Sequence, residues 1–162
     1  MRDELVLIVS PEHAWARRRE IPPDSLADQP LLVREEGSAT RSVSEGALQR
    51  ARVKFRVAME LDHTEAIKQG VMAGLGVAFV SVYAVRGEIA TGRLHALRLR
   101  GVPIQRHFHV IHHEARRVSA SARAFMELLD QTARGRKGSW LLEKKRSSDA
   151  TASRSTSTIS TG

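Results

Sequence analysis

The sequence predicts an α/β protein, and three observations carry the prediction. Short apolar runs recur along the chain. Segments with apolar residues at helical spacing separate several of them. Proline and glycine, which end strands and helices, stand at the joins.

Leu5 to Val9 is a continuous apolar run, the pattern of a strand covered on both faces, as in a parallel sheet. Ser10-Pro11 ends it, because proline cannot supply the ladder's N–H. Pro22-Pro23-Asp24 opens a short helical turn around Ser25 to Ala27, and a second apolar run, Pro30 to Val33, stops at Arg34. The small polar residues Glu36-Gly37-Ser38-Ala39-Thr40-Arg41 then precede a helix with Val43, Ala47, Leu48 and Ala51 at helical spacing. Val57, Met59 and Leu61 alternate with polar neighbours, the period-two signal of a strand. Asp62, His63 and Thr64 offer N-cap chemistry to a helix that buries Ile67 and Val71 and ends at Gly74. Gly76 to Ser81 is another short buried strand.

Residues 4–82 therefore read β, turn, β, α, β, α, β, an alternation that implies parallel pairing through right-handed crossovers. Beyond them, Val82, Val85 and Ile89 mark a helix ending at Gly92, and Leu94, Leu97 and Leu99 an edge-like strand. Gly101-Val102-Pro103 turns the chain, Arg106 to His113 forms a further strand, and Ser119 caps an amphipathic helix with Ala122, Phe125, Met126 and Leu129. From Arg134 onward Ser, Thr, Gly and basic residues dominate, with Trp140-Leu141-Leu142 as one apolar island. Such a composition buries too little apolar surface to offset its ordering entropy, so 133–162 is expected to be a disordered tail.

Composition narrows the function classes. No apolar run approaches the roughly 18 residues that cross a bilayer, so no membrane contact is expected. The chain has no cysteine, which excludes disulfides, and its N-terminal apolar stretch is too short for a secretory signal; the expected location is the cytoplasm. A net charge of +8 invites a nucleic-acid reading, with clusters at Arg17 to Arg19, Arg116-Arg117, Arg134 to Lys137 and Lys144 to Arg146. None is interleaved with aromatic residues or set in a helix-turn-helix or zinc-finger pattern, so a solvated basic surface is expected in preference to sequence-specific binding.

Five blocks, DELVLIVSPEHAWARR, PLLVREEGSATR, MELDHTEAIKQGVMAGLGVAFVS, GRLHALRLRGVPIQRHFHVIHH and SASARAFMELL, stand in an order that resembles the effector-binding domain of LysR-type transcriptional regulators, from about Asp3 to Asp130. The resemblance implies a fold similar to type 2 periplasmic binding proteins, in which two α/β subdomains joined by two crossing strands enclose a ligand cleft. It implies that 4–82 form one nearly complete subdomain (the second of the family's two) and that 83–132 are the return segment of an incomplete first. The family's winged helix-turn-helix and the start of the first subdomain have no counterpart here, so the chain is expected to be a fragment of a regulator without a DNA reader. The expected function is sensing of a small anionic effector, in an intact regulator that is a homo-oligomer. No direct DNA contact is expected from this chain, and no cofactor. The alternatives are a periplasmic-type solute-binding protein, which the missing signal disfavours, and a non-functional remnant of a regulator gene, which would leave apolar faces uncovered.

The best candidate site is Glu36 to Arg41. A strand that ends in Gly-Ser-x-Thr at a helix start brings together free backbone N–H groups, hydroxyls and the positive helix end, a combination suited to a carboxylate or similar anion. The resemblance implies effector contacts at Ser38 and Thr40, with Ala39 where the family commonly has glycine. Plain helix capping by Ser38 or Thr40 uses the same donors and is the competing reading. A second such corner is His63 with Thr64, where His63 either donates to a bound anion or is a half-exposed neighbour of the cap. Phe79 is expected in the core. His107 and His109 would share one strand face, with His112 and His113 close behind, but spacing places no third ligand, so no metal site is expected. No G-x-S-x-G elbow, Walker loop or HExxH occurs, and Gly74-Leu75-Gly76 lacks the third glycine of a dinucleotide fingerprint; the chain is not expected to be an enzyme.

Overall fold

A computed structural model describes residues 2–109, 111 and 118–135, and the chain divides into two units, Met1–His109 and Val110–Gly162. In the first unit, strand β1 (Arg2–Val9) leads through a turn to β2 (Glu20–Ile21), a 3₁₀ turn (Pro23–Leu26) and β3 (Pro30–Arg34). Helix α1 (Ala39–Arg50), β4 (Arg56–Leu61), α2 (Thr64–Met72) and β5 (Val77–Ser81) follow. A 3₁₀ turn (Val82–Val85), α3 (Arg86–Ala90), β6 (His95–Leu99) and β7 (Gln105–His107) complete the unit.

The strands form one mixed sheet in the order β2-β6-β1-β5-β3-β4, with β7 paired to the start of β1. The parallel pairing expected from strand–helix alternation holds for β3 with β4 and β3 with β5, which helical crossovers connect. It fails at β1, which runs antiparallel to β5, β6 and β7. The crossover rule constrains strands joined through a packed helix; β1 passes to β3 through turns, so nothing local fixes its direction. β6, read from sequence as an edge, is internal, because the two-residue β2 lies outside it in parallel register.

The apolar run in β1 is covered on both sides, as its lack of alternation implied. Leu5, Leu7 and Val9 join Leu31, Val33, Ala47, Leu48, Val53, Val77, Phe79, Leu97 and Ile104 in one buried cluster under α1. Val6, Ile8, Leu32, Ala78 and Val80 are equally buried, with Ile67 and Val71 of α2. Gly70 of α2 brings that helix onto Leu32, since a Cβ there would stand 2.9 Å from Leu32 Cδ1.

β4 departs from its sequence pattern. Val57 and Met59 are 41 % and 39 % exposed, although their alternation implied a buried face. β4 is the sheet's edge strand, and Leu61, half-buried, is its most enclosed residue. Of the expected strand 106–113, Gln105–His107 is in strand; Val110, His112 and His113 lie outside the described residues, as do Arg116-Arg117, the clusters at 136–137 and 144–146, and Trp140-Leu141-Leu142. In the second unit α4 (Ala120–Gly135) begins as expected at Ser119, whose hydroxyl accepts from the Ala122 N–H at 3.2 Å. Its Phe125 and Leu129 are exposed.

Candidate functional site

Parallel pairing puts the carboxyl ends of β3 and β4 side by side, with Arg34 opposite Leu61 and the Glu35 N–H donating to the Leu61 carbonyl. Each strand is followed at once by a helix, so the starts of α1 and α2 share one edge of the sheet. The carboxyl end of β5 lies at the same edge, and antiparallel β1 brings its own start there, with Leu5 opposite Ser81. Topology thus gathers Ser38, Thr40, Thr64, Ser81 and Asp3 at one end of the sheet.

Ser38 is the N-cap residue of α1 with extended backbone, yet its side chain makes no capping hydrogen bond. Capping by this hydroxyl, one of the two readings left open by the sequence, is therefore not made. Ala39, exposed, begins the helix. Thr40 is half-buried, and its Oγ1 accepts from Arg106 Nη1 at 3.0 Å. Arg106 lies on β7 opposite Asp3, and its Nε donates to Asp3 Oδ2 at 2.8 Å. The Asp3 side chain is wholly buried, and its other oxygen accepts from the Ser81 hydroxyl at 2.7 Å. The guanidinium also stacks 4.9 Å from the Phe108 ring centroid. An arginine fixed on one side by a buried carboxylate thus stands against the first turn of α1, whose leading N–H groups have no intrahelical acceptor.

The second corner differs. His63 is the N-cap of α2 without a side-chain cap bond and is largely exposed. Thr64 Oγ1 accepts from Arg34 Nη1 at 2.8 Å. Arg34 is shared with Glu35, at 2.6 and 2.8 Å, and its carbonyl accepts from Arg41. Arg41 in turn pairs with Glu45 and Glu60. Asp62 lies 3.7 Å from the His63 ring. The hydrogen bond from Arg34, with His63 adding a weaker attraction, holds the Glu35 carboxyl below its ordinary range and hence ionised. Both corners thus set a threonine against an arginine, and carboxylates are more numerous around the second.

A small concavity between β3 and the first turns of α1 is lined by Val33, Arg34, Thr40, Arg41, Ser44 and Phe79, among others, but by neither His63 nor Thr64. Phe79 is buried among core residues, as expected. His107 and His109 have ring centroids 6.2 Å apart, and among the described residues no group of three potential ligands could hold a metal. Sequence reasoning named the two threonines but missed Arg34 and Arg106, which donate to them, and Asp3, which holds Arg106. The family blocks contained all three, but only strand pairing shows that residues a hundred positions apart meet.

Comparison with known proteins agrees with this architecture. The family model described as LysR substrate binding domain matches residues 1–134. The chain is 35 % identical over 129 residues to the HTH-type transcriptional activator CmpR of a Synechocystis strain, an alignment covering 80 % of this chain and 42 % of CmpR. It is 38 % identical over 128 residues to the HTH-type regulator CbbR of Xanthobacter flavus, covering 77 % of this chain and 38 % of CbbR. The chain thus spans about two fifths of the length of these relatives. The CcmR regulatory domain of Synechocystis, solved in complex with 2-PG, superposes with a TM-score of 0.73 at 30 % identity, covering 82 % of this chain and 64 % of that one. The effector-binding domain of QuiR with shikimate shares the fold, at a TM-score of 0.65 and 13 % identity. The fold is α/β, of the type 2 periplasmic-binding-protein kind, and the chain belongs to the LysR substrate-binding-domain family.

Proposed function

We propose that this chain is the effector-sensing part of a LysR-type transcriptional regulator and that it holds a small anion at the start of α1. The observation that carries this reading is the guanidinium of Arg106, clamped by buried Asp3 and bonded to Thr40 beside the unsatisfied N–H groups of the helix. A cation, a hydroxyl and a positive helix end together favour a carboxylate or phosphate. Ser38, whose hydroxyl is not spent on capping, supplies a further donor, and Ala39 a backbone N–H. His63 and Thr64 are assigned to the same effector from the neighbouring corner, where Arg34 donates to Thr64 and Asp62 stands beside His63, a setting suited to a hydroxyl or the neutral part of the effector. The CcmR regulatory domain, solved in complex with 2-PG, supports a small-molecule effector.

In this reading 4–82 form most of one subdomain and 83–132 lead back into the other, whose remaining wall comes from the portion of the regulator that the relatives have and this sequence lacks. The regulator is cytoplasmic, and no helix among the described residues is long and apolar enough to cross a membrane. Differential affinity of the effector for two subdomain arrangements would shift a homo-oligomer between DNA-bound states. The chain itself performs no catalysis. Relatives that are transcriptional regulators speak against the solute-carrier alternative.

Isothermal titration of an N-terminally completed version with 2-PG tests the reading. The Ser38→Ala/Thr40→Ala variant should bind at least about tenfold more weakly, as expected for losing two hydrogen bonds to a charged ligand. Unchanged affinity would remove both residues from the site.

A further inference from the structure

At the other end of β4 from Thr64, the chain carries Arg50, Arg52, Lys54 and Arg56, all exposed. The sequence hides this cluster, because apolar residues interrupt it. Folding sorts the two kinds: Val53 is buried in the main cluster and Phe55 packs against it, while Arg52, Lys54 and Arg56 stay outside. Anchored by its alternate residues, the basic row is presented on a fixed backbone.

Two features mark this row. First, its four cations are free of ion pairs and side-chain hydrogen bonds to other described residues, a property shared with exposed Arg17 to Arg19, whereas Arg34, Arg41, Lys68, Arg93, Arg98, Arg100 and Arg106 each have a carboxylate within 4 Å. Second, Arg52 occupies the left-handed region, at φ 56°. The Arg52 N–H donates to the Gln49 carbonyl and the Val53 N–H to the Leu48 carbonyl, the helix-ending pattern that normally places glycine where Arg52 stands. A cation is carried at the position least tolerant of a side chain.

In departure from the expectation that this chain makes no direct DNA contact, we propose that Arg52, Lys54 and Arg56, flanked by Arg50, form a docking surface for the sugar-phosphate backbone of duplex DNA. Arg56 opens β4, and in extended chain Lys54, two residues before it, stands about 6.6 Å away, a spacing that suits cations to successive phosphates of one DNA strand. The proposed contact is to phosphates and independent of sequence, since exposed, flexible cations leading into a strand hold no fixed donor pattern against base edges. The row also lacks an aromatic wedge, since Phe55 faces the core, and an anionic lipid surface would be expected to engage one. In a regulator held on its operator by another domain, even a weak contact of this kind acts at high local concentration and ties the sensor's position to the DNA path.

Fluorescence anisotropy of the 162-residue chain with a short labelled duplex of arbitrary sequence, over a salt series, tests this surface independently of effector binding. The Arg52→Gly/Lys54→Gln/Arg56→Gln variant should bind more weakly and show a log–log salt slope shallower by about 0.9 for each cation removed. The charge-matched Arg17→Gln/Arg18→Gln/Arg19→Gln variant should keep the wild-type slope. Should the first variant fail to fold, Lys54→Gln and Arg56→Gln are read singly, each shallowing the slope by about 0.9. The proposal is overturned by absence of wild-type binding at low salt, by an unchanged slope in the row variants, or by equal loss in both triple variants. It is overturned too if phosphatidylserine vesicles engage the row more tightly than the duplex does.

Discussion

Arg106 and Asp3 face each other across the β1–β7 pair, joined by a 2.8 Å hydrogen bond from Nε to a carboxylate with no solvent exposure. That contact links the strand carrying the guanidinium to the start of the first strand, and through Thr40 to the start of α1. Asp3→Ala should therefore cost more than a lost surface pair. It leaves a guanidinium only 18 % exposed without its carboxylate and the Ser81 hydroxyl without its acceptor. We expect a loss of about 2–3 kcal/mol, below the range for a fully buried pair because Arg106 retains some water contact. Urea unfolding would show it as a lower midpoint; a midpoint within error of wild type would mean that Arg106 finds another partner.

A second buried pair gives a pH prediction. Lys68 of α2 donates to Glu88 of α3 at 2.8 Å, and each side chain is about nine-tenths enclosed. Glu65 adds a second carboxylate to Lys68 at 2.6 Å. Burial pushes the Lys68 ammonium down, but hydrogen bonds to Glu65 and Glu88 outweigh it, and the net direction is up. Glu88 is lowered chiefly by the hydrogen bond from Lys68. The signs then follow. The Glu88 contribution is present above the unfolded carboxyl range, near 4.3, and is lost as pH falls through its lower folded value. The Lys68 contribution is present below about 10.4 and is lost as pH rises through its higher folded value. Melting temperature should be flat between about pH 5 and 10 as far as this pair decides it. Lys68→Met should cost about 2–3 kcal/mol at neutral pH and flatten the acid limb, and adding Glu88→Leu should recover most of the loss. An unaltered acid limb in Lys68→Met would show that Glu88 is not held ionised by Lys68.

How much of this was legible in the sequence depends on range. Leu5 to Val9 and Gly76 to Ser81 declared themselves as doubly covered strands, because burial on both faces removes alternation. Gly74 declared the end of α2, where its φ of +77° closes the helix with the Leu75 N–H on the Gly70 carbonyl. The direction of β1 was not legible, since strand direction is set by partners and none of its partners is local. The exposure of Val57 and Met59 was not legible either: alternation reports which residues share a face, not whether anything covers it. At the site, hydroxyls at helix starts were readable as local chemistry. The arginines that engage them were not, because Arg106 reaches Thr40 across 66 residues.

Gly76 is required by its surroundings. A Cβ there would lie 2.3 Å from the Pro30 carbonyl oxygen and 3.3 Å from Leu32 Cδ2. The first is backbone at the start of β3 and cannot turn aside. Gly76→Ala should cost at least about 2–3 kcal/mol, the range for forced overpacking. Gly74→Ala meets no atom within 4 Å and carries only left-handed backbone strain, about 1 kcal/mol. Thermal unfolding of the two variants should rank them in that order; the reverse order would mean that β3 and β5 separate easily at Pro30.

Arg52 offers the opposite case, a substitution expected to stabilise. Its φ of 56° follows the end of α1, and the hydrogen bonds that fix it come from the backbone of Arg52 and Val53, so none depends on the arginine side chain. Glycine adopts this conformation without the Cβ penalty, but it also gains more freedom in the unfolded chain, which returns part of the benefit. The net gain for Arg52→Gly should be about 0.5–1 kcal/mol, visible as a higher urea midpoint with unchanged slope. If the row of cations serves DNA docking, the same variant gains stability while losing one phosphate contact, so the two measurements move in opposite directions. A destabilised Arg52→Gly would show that the arginine stem contributes packing that its exposure conceals, and the conformational cost argued for this position would then be offset within the fold.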